Sequence, residues 1–217
     1  MKKTLFINCS LLCLVILFGN GCNGIAVKYG NYNISDSYIK EGMDNDNYWA
    51  IEGTTESFWN NKADLNFGIG ILDGPDAGEL PTNMGTISVE SITLGDFYGT
   101  MRYYPLGERK DLGFPIKPYI GAGIGYFRLI KKTRSQGDYI GGINYGTWGY
   151  SYYEIDEKSD TMAEGVYPHF VLGTYIPIGK SGWSFSIEDR IDIGKEDNGF
   201  DFSGNILMFG LHLGYRY

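Results

Sequence analysis

From residue 25 onward the chain changes character at every second position. The clearest case is its C-terminal stretch, where Leu207, Phe209, Leu211, Leu213, Tyr215 and Tyr217 alternate with Met208, Gly210, His212, Gly214 and Arg216. A period of two places the two sets on opposite faces of a β-strand. The same alternation runs through Leu65, Phe67, Ile69 and Ile71, through Ile120, Ala122, Ile124 and Tyr126, and through Phe170, Leu172, Thr174, Ile176 and Ile178. After residue 24 no stretch keeps apolar residues at helical spacing for three turns, so the pattern predicts an all-β chain. Eight runs carry it: Ile25–Ile34, Tyr48–Trp59, Ala63–Leu72, Ile87–Tyr104, Ile116–Lys131, Glu164–Ile178, Trp183–Ile193 and Asn205–Tyr217. Each is about ten residues or longer, against the five or six usual in soluble sheets. Ten tilted residues match the thickness of a bilayer.

The connections alternate in length. The first, third, fifth and seventh are long and polar, the fifth running from Lys132 to Ala163; the second, "NNK", and the sixth, "GKSG", are short. Short turns on one side and long loops on the other are the asymmetry of an up-and-down barrel that spans a membrane. A soluble eight-stranded barrel would also alternate, and glycine placement separates the two. In "PYIGAGIGYF" one face carries Ile120, Ala122, Ile124 and Tyr126, and the other Tyr119, Gly121, Gly123, Gly125 and Phe127. On a face open to water, stripping side chains gains nothing and costs roughly 0.5–1 kcal/mol per glycine. Inside an eight-stranded barrel the space barely admits side chains, so some positions must be tiny. Gly173, Gly210 and Gly214 share that inward parity. The expectation is an eight-stranded antiparallel up-and-down transmembrane β-barrel with its apolar side chains outside. Trp59, Tyr103, Trp183, Tyr215 and Tyr217 would ring one membrane interface.

The N-terminus reads as an export signal: Lys2 and Lys3, an apolar stretch from Leu5 to Phe18, then Gly19 and Gly21. That apolar stretch is about 14 residues, short of the ~20 a spanning helix needs. Residues 1–21 are therefore expected to be a signal peptide and 22–217 a single barrel domain. Cleavage after Gly21 would expose Cys22, a candidate for lipidation, although Gly19 stands where a lipobox usually has leucine. All three cysteines, Cys9, Cys13 and Cys22, lie at or before this boundary, so the remaining chain has no disulfide to form.

Charge narrows the partners. The chain carries 18 basic and 26 acidic residues, a net of −8 that becomes −10 once Lys2 and Lys3 are removed. So acidic a chain is unsuited to binding nucleic acid, which needs clustered cations. Glycine, at 32 residues, is spread through strand-like runs rather than repeats. No cofactor motif is present: "GAGIG" has strand spacing and no helix after it, and "DNDN" (44–47) lacks the glycine and glutamate of a calcium loop.

With these features the chain resembles the small eight-stranded outer-membrane barrels of Gram-negative bacteria, the OmpA/OmpX/OmpW-like group, in its "PYIGAGIGYF" strand and its aromatic-terminated last strand. The resemblance implies a porin-like, outer-membrane location and contact with outer-membrane lipid and lipopolysaccharide. It also implies that Tyr215 and Tyr217 form the C-terminal signal read by the barrel-assembly machinery. It is specific for architecture and silent on an external ligand, since a barrel is a scaffold.

Charged and polar residues fall repeatedly on the inward face: Glu52, Glu56, Glu90, Asp96, Arg102, His169, Glu188, Arg190, Asp192, His212 and Arg216. The expectation is a structural network in a lumen too narrow for water, because an uncompensated buried charge costs several kcal/mol. Extrapolating from the last turns sets His169 near Asp192 and Glu188 near His212. Two functional alternatives remain. Ser184, Ser186 and Glu188 share a face with both histidines, as in the lipid A deacylases built on such barrels, although their His-x-Ser motif is absent. An OmpW-like conduit for small apolar molecules would need an apolar external mouth, for which Ile92, Leu94 and Phe127 are candidates. The aromatic segment from Asp138 to Glu154 is expected to extend strands five and six as a hairpin or to bind a surface partner.

Overall fold

The computed structural model describes residues 24–37, 47–55, 57–60, 62–73, 89–106, 116–145, 148–179, 182–194, 201 and 203–214; for residues 73, 89–91, 134–145 and 148–157 it describes the backbone alone. Eight strands follow in order: β1 (Gly24–Ile34), β2 (Asn47–Thr54), β3 (Ala63–Asp73), β4 (Val89–Tyr103), β5 (Lys117–Tyr145), β6 (Trp148–Pro177), β7 (Trp183–Asp192) and β8 (Gly204–Leu213). Each pairs antiparallel with its chain neighbour, and β8 closes on β1 from Ile25↔Leu213 to Ile34↔Gly204. Closure removes the open edges that would otherwise invite aggregation.

Burial is inverted relative to a soluble barrel. Along β1 buried and exposed residues alternate without a break, and Ile25, Val27 and Tyr29 are exposed while Lys28 among them is buried. Ile51 is 57 % exposed, Ile124 66 %, Leu172 63 % and Phe209 55 %, whereas Lys28, Glu52 and Arg102 are 0 % exposed. A contiguous apolar belt of this kind is a lipid-facing surface, not one for water. The soluble rival is thereby set aside. Trp59, Tyr103 and Trp183 are exposed on the outside at the short-turn end, as an interfacial ring requires.

The short turns have identifiable causes. Between β2 and β3 the chain reverses through Trp59 (φ 52°) and Asn60 (φ 58°), closed by Phe58 pairing with Ala63. β2 therefore ends at Thr54, and Trp59 belongs to the turn rather than to the predicted strand. Between β6 and β7, Gly179 (φ 57°) and Gly182 (φ 78°) accept the left-handed conformation that side chains disfavour, and Ile178 N–H bonds Trp183 C=O at 2.9 Å.

Two further boundaries differ from the sequence reading. The stretch from Lys132 to Ala163, first counted as a connection, is mostly strand: β5 and β6 stay paired from Lys117↔Tyr175 to Tyr145↔Trp148. The hairpin expected there is thus present. Register shifts at Leu129/Ile130 and around Tyr139 bend this pair. The predicted last strand stops at Leu213, and Gly214 (φ 93°) leaves the inward row and is exposed. Val89 is the first described residue of β4.

Inside the barrel the side chains form layers. Toward the long-loop end an apolar cluster includes Tyr32, Ile34, Leu72, Ile92, Leu94, Phe127, Leu129, Ile206 and Met208. Below it lie charged residues, and toward the short-turn end Tyr104, Tyr119, Tyr175 and Val171 form a second cluster.

Candidate functional site

Alternation delivers the ionic centre directly. Lys28 (β1), Glu52 (β2), Arg102 (β4) and Glu188 (β7) occupy inward positions on four strands and converge, each at most 1 % exposed. Lys28 Nζ lies 2.7 Å from both Glu52 Oε1 and Glu188 Oε1, and Arg102 Nη2 lies 2.9 Å from Glu52 Oε2 and 2.7 Å from Glu188 Oε2. Two cations thus alternate with two carboxylates in a closed ring. Tyr98 donates to Glu52 and Tyr119 to Glu188, each at 2.7 Å, and Arg102 Nη1 donates to Tyr175 Oη at 2.6 Å. Buried charges persist when paired and hydrogen-bonded in this way.

A second cluster lies nearer the long-loop end. Arg190 Nη2 is 2.7 Å from Asp96 Oδ2, and Arg190 Nε is 2.9 Å from Asp192 Oδ1. Tyr48 and Tyr167 donate to Asp96 at 2.7 and 2.5 Å. The guanidinium also sits over the Tyr98 ring, 4.5 Å from its centroid, which joins the two clusters. A cavity of about 10 Å³, room for one water, remains between Tyr32, Leu94, Asp96, Phe127, Tyr167, Arg190 and Asp192.

Glycine makes the network fit. Inward tyrosines lie across the ladder from inward glycines: Tyr98 opposite Gly68, Tyr167 opposite Gly125 and Tyr119 opposite Gly173. His169 likewise faces Gly123. A Cβ added at Gly173 would stand 2.5 Å from Tyr119 Oη, and one at Gly68 would stand 2.5 Å from Tyr98 Oη. Each absent side chain is the space a ring uses to reach a carboxylate.

The predicted residues fare unevenly. Glu52, Asp96, Arg102, His169, Glu188, Arg190, Asp192 and His212 are all buried in the lumen. Glu56, Arg216, Tyr215, Tyr217 and Cys22 lie outside the described residues, and only the backbone of Glu90 is described. His169 pairs with Asp192 in register, as expected. Glu188 does not pair with His212: it faces Met208, and His212 faces Ser184, because the β7–β8 connection is centred near residue 198, two residues before the extrapolated centre. Lys28, Asp64, Asn66 and the lumen tyrosines were missed. Their signal was there in the alternation, since Lys28 stands between outward Val27 and Tyr29. Asp64 accepts from Tyr104 at 2.6 Å and from Asn66 at 2.7 Å.

The hydroxyl–imidazole geometry required by the hydrolase alternative is partly present. His212 Nε2 is 2.7 Å from Ser186 Oγ, and His169 Nε2 is 2.8 Å from Thr100 Oγ1. Both pairs are sealed in the lumen, Ser186 and His212 being 2 % and 1 % exposed. Glu188 spends its oxygens on Lys28, Arg102 and Tyr119. Among the described residues no cluster of His, Cys, Asp or Glu has metal-holding geometry. Outside the membrane span, Asp201 accepts from Ser203 Oγ and N, and these bonds hold its carboxyl below the usual range.

No protein-family model matches the chain, and no curated protein sequence matches it. Solved structures do. Neisserial surface protein A superposes with a TM-score of 0.57 at 11 % identity, over 88 % of this chain and 96 % of that one. Acinetobacter baumannii CarO gives 0.49 at 12 % identity, covering 90 % and 98 %. The N-terminal barrel domain of Pseudomonas aeruginosa OprF gives 0.42 at 10 % identity, covering 88 % and 97 %. The first likeness shows that the chain has the fold of the small eight-stranded outer-membrane barrels.

Proposed function

We propose that the protein is a non-enzymatic outer-membrane barrel that closes its own lumen and offers its long-loop end, above all the β5–β6 hairpin, to the cell exterior. The filled lumen carries this reading: where a pore would run, a four-residue ion ring, a second Arg190-centred cluster and a layer of apolar side chains occupy the axis. Eight strands leave no room for both a packed core and an aqueous channel. Outer-membrane lipid and lipopolysaccharide are the partners that the apolar belt and its aromatic ring suit. A signal peptide over residues 1–21 and assembly through Tyr215 and Tyr217 belong to the same reading, with Cys22 as its candidate lipid anchor.

The conduit alternative meets an obstacle here. Ile92, Leu94 and Phe127 do face inward near the long-loop end, but they are 7 %, 2 % and 3 % exposed and pack against Leu129 and Ile206 as a stopper. The hydrolase alternative meets another, since neither hydroxyl–histidine pair is open to a lipid substrate.

The test is cell fractionation with heat modifiability on a detergent gel, followed by protease treatment of intact cells. The reading expects an outer-membrane band that shifts on boiling and cleavage within residues 138–154. A band in the periplasm or culture fluid, or altered lipid A that reverts in the His212→Ala variant, would contradict it.

A further inference from the structure

The lipid-facing side of β6 and β7 holds two polar groups that find no match among the described residues. In β7 the outward row reads Trp183, Phe185, Ile187, Asp189, Ile191. Asp189 is the acid in an otherwise apolar row, and its register partners are Leu172 on β6 and Leu207 on β8, 63 % and 44 % exposed. With about 3.3 Å per residue and a tilt near 40°, it lies roughly 15 Å above Trp183, well inside the hydrocarbon. Asp189 Oδ1 is buried against its neighbours and has no hydrogen-bond partner among the described residues. Thr174, outward on β6, is in the same position: its Oγ1 is buried without a partner. Thr174 faces Ile187 while Asp189 faces Leu172, so the two are diagonal neighbours on one face. One is an acceptor and the other a donor, yet they do not bond to each other.

Acyl chains cannot satisfy either group, and a polar group left alone at this depth is costly. An isologous contact has the property that residue i of one copy meets residue j of the other while j meets i. We infer that a second copy of this chain docks on the β6–β7 face, with Thr174 Oγ1 of each copy donating to Asp189 of the other. A two-fold axis running between Thr174 and Asp189 turns one unmatched donor and one unmatched acceptor into two symmetric hydrogen bonds, flanked by Leu172, Ile187 and Leu207. The contact leaves the barrel backbone unchanged and needs a side-chain rotation in each copy: Thr174 Oγ1, covered by its own chain, turns outward to meet Asp189.

The experiment is single-molecule photobleaching of the fluorescently labelled full chain in phospholipid vesicles over a range of protein densities, with heat modifiability confirming that each variant is folded. Four chains are compared: the natural sequence, Asp189→Leu, Thr174→Val and Asp189→Asn, the last of which keeps an acceptor oxygen. Dimers are expected for the natural sequence and Asp189→Asn. Association should weaken on the order of tenfold in Asp189→Leu and Thr174→Val, the scale of two membrane hydrogen bonds. A natural sequence that is monomeric at every density overturns the inference. So does undiminished pairing in Asp189→Leu and Thr174→Val.

Discussion

The inner and outer faces of this barrel are cut from the same strands, yet they obey opposite rules. Outward positions are interchangeable apolar surface: Ile51, Ile124, Leu172 and Phe209 are more than half exposed and need only be compatible with acyl chains. Inward positions are specified individually, because each charge has a named partner and several rings have a facing glycine. Alternation puts a residue on a face; only the inner face then requires it to be one particular residue. In water the strict face would be the apolar core. Here the lipid takes the place of the forgiving surface, and the strict face is the one that holds the charges.

That contrast orders the expected effects of substitution. The largest should come from Arg102→Met, which removes the cation shared by Glu52 and Glu188 and leaves two buried carboxylates with Lys28 alone. The cost of stripping one partner from such a set is roughly 3–5 kcal/mol. It should be read as a lower urea midpoint for barrel unfolding in lipid vesicles, with the variant failing to assemble if the barrel is marginal. Next is Ile124→Arg, near mid-depth on the outward face, at roughly 2–4 kcal/mol. Ile124→Leu at the same site should be close to neutral in the same assay, and an equal loss in both would mean that the outer face is as strictly specified as the inner.

Third is Gly68→Val, which drives the Tyr98 ring off Glu52. Overpacking of this kind costs roughly 1–3 kcal/mol. The pairing of glycine with ring predicts partial recovery in Gly68→Val combined with Tyr98→Ala. Smallest is Asp189→Leu, which replaces the acid of an apolar row and should leave the monomer's unfolding midpoint unchanged or slightly raised. A marked loss would mean that Asp189 holds a structural bond within its own chain.

Much of this was readable from the amino-acid order, for a physical reason. A side-chain period of two is shared by every strand, so strand number, the facing of each residue and the polarity of each face follow from a simple count. His169 opposite Asp192 could be placed because the β6–β7 turn is tight. His212 could not be placed from β7, because a longer connection lets the register slip by whole residue pairs and four residues of error moved it from Ser184 to Glu188. The end of β2 was misplaced for a local reason: Trp59 continues the apolar pattern, but its backbone is already turning. The ion ring itself lay beyond reach, since Lys28, Glu52, Arg102 and Glu188 meet only after closure brings β1, β2, β4 and β7 around a common axis. Lys28 was overlooked although its parity was as clear as that of Glu52.

The inversion of the two faces is tested most directly by nuclear Overhauser contacts between lipid acyl chains and side-chain methyl groups, recorded on the natural sequence in lipid nanodiscs. Contacts are expected from the acyl methylenes to Val27, Ile51, Leu65 and Ile124, and none to Leu72, Leu129 or Ile206, each 0 % exposed within the lumen. Acyl contacts to Leu72, Leu129 and Ile206, with Ile51 and Ile124 silent, would contradict the account.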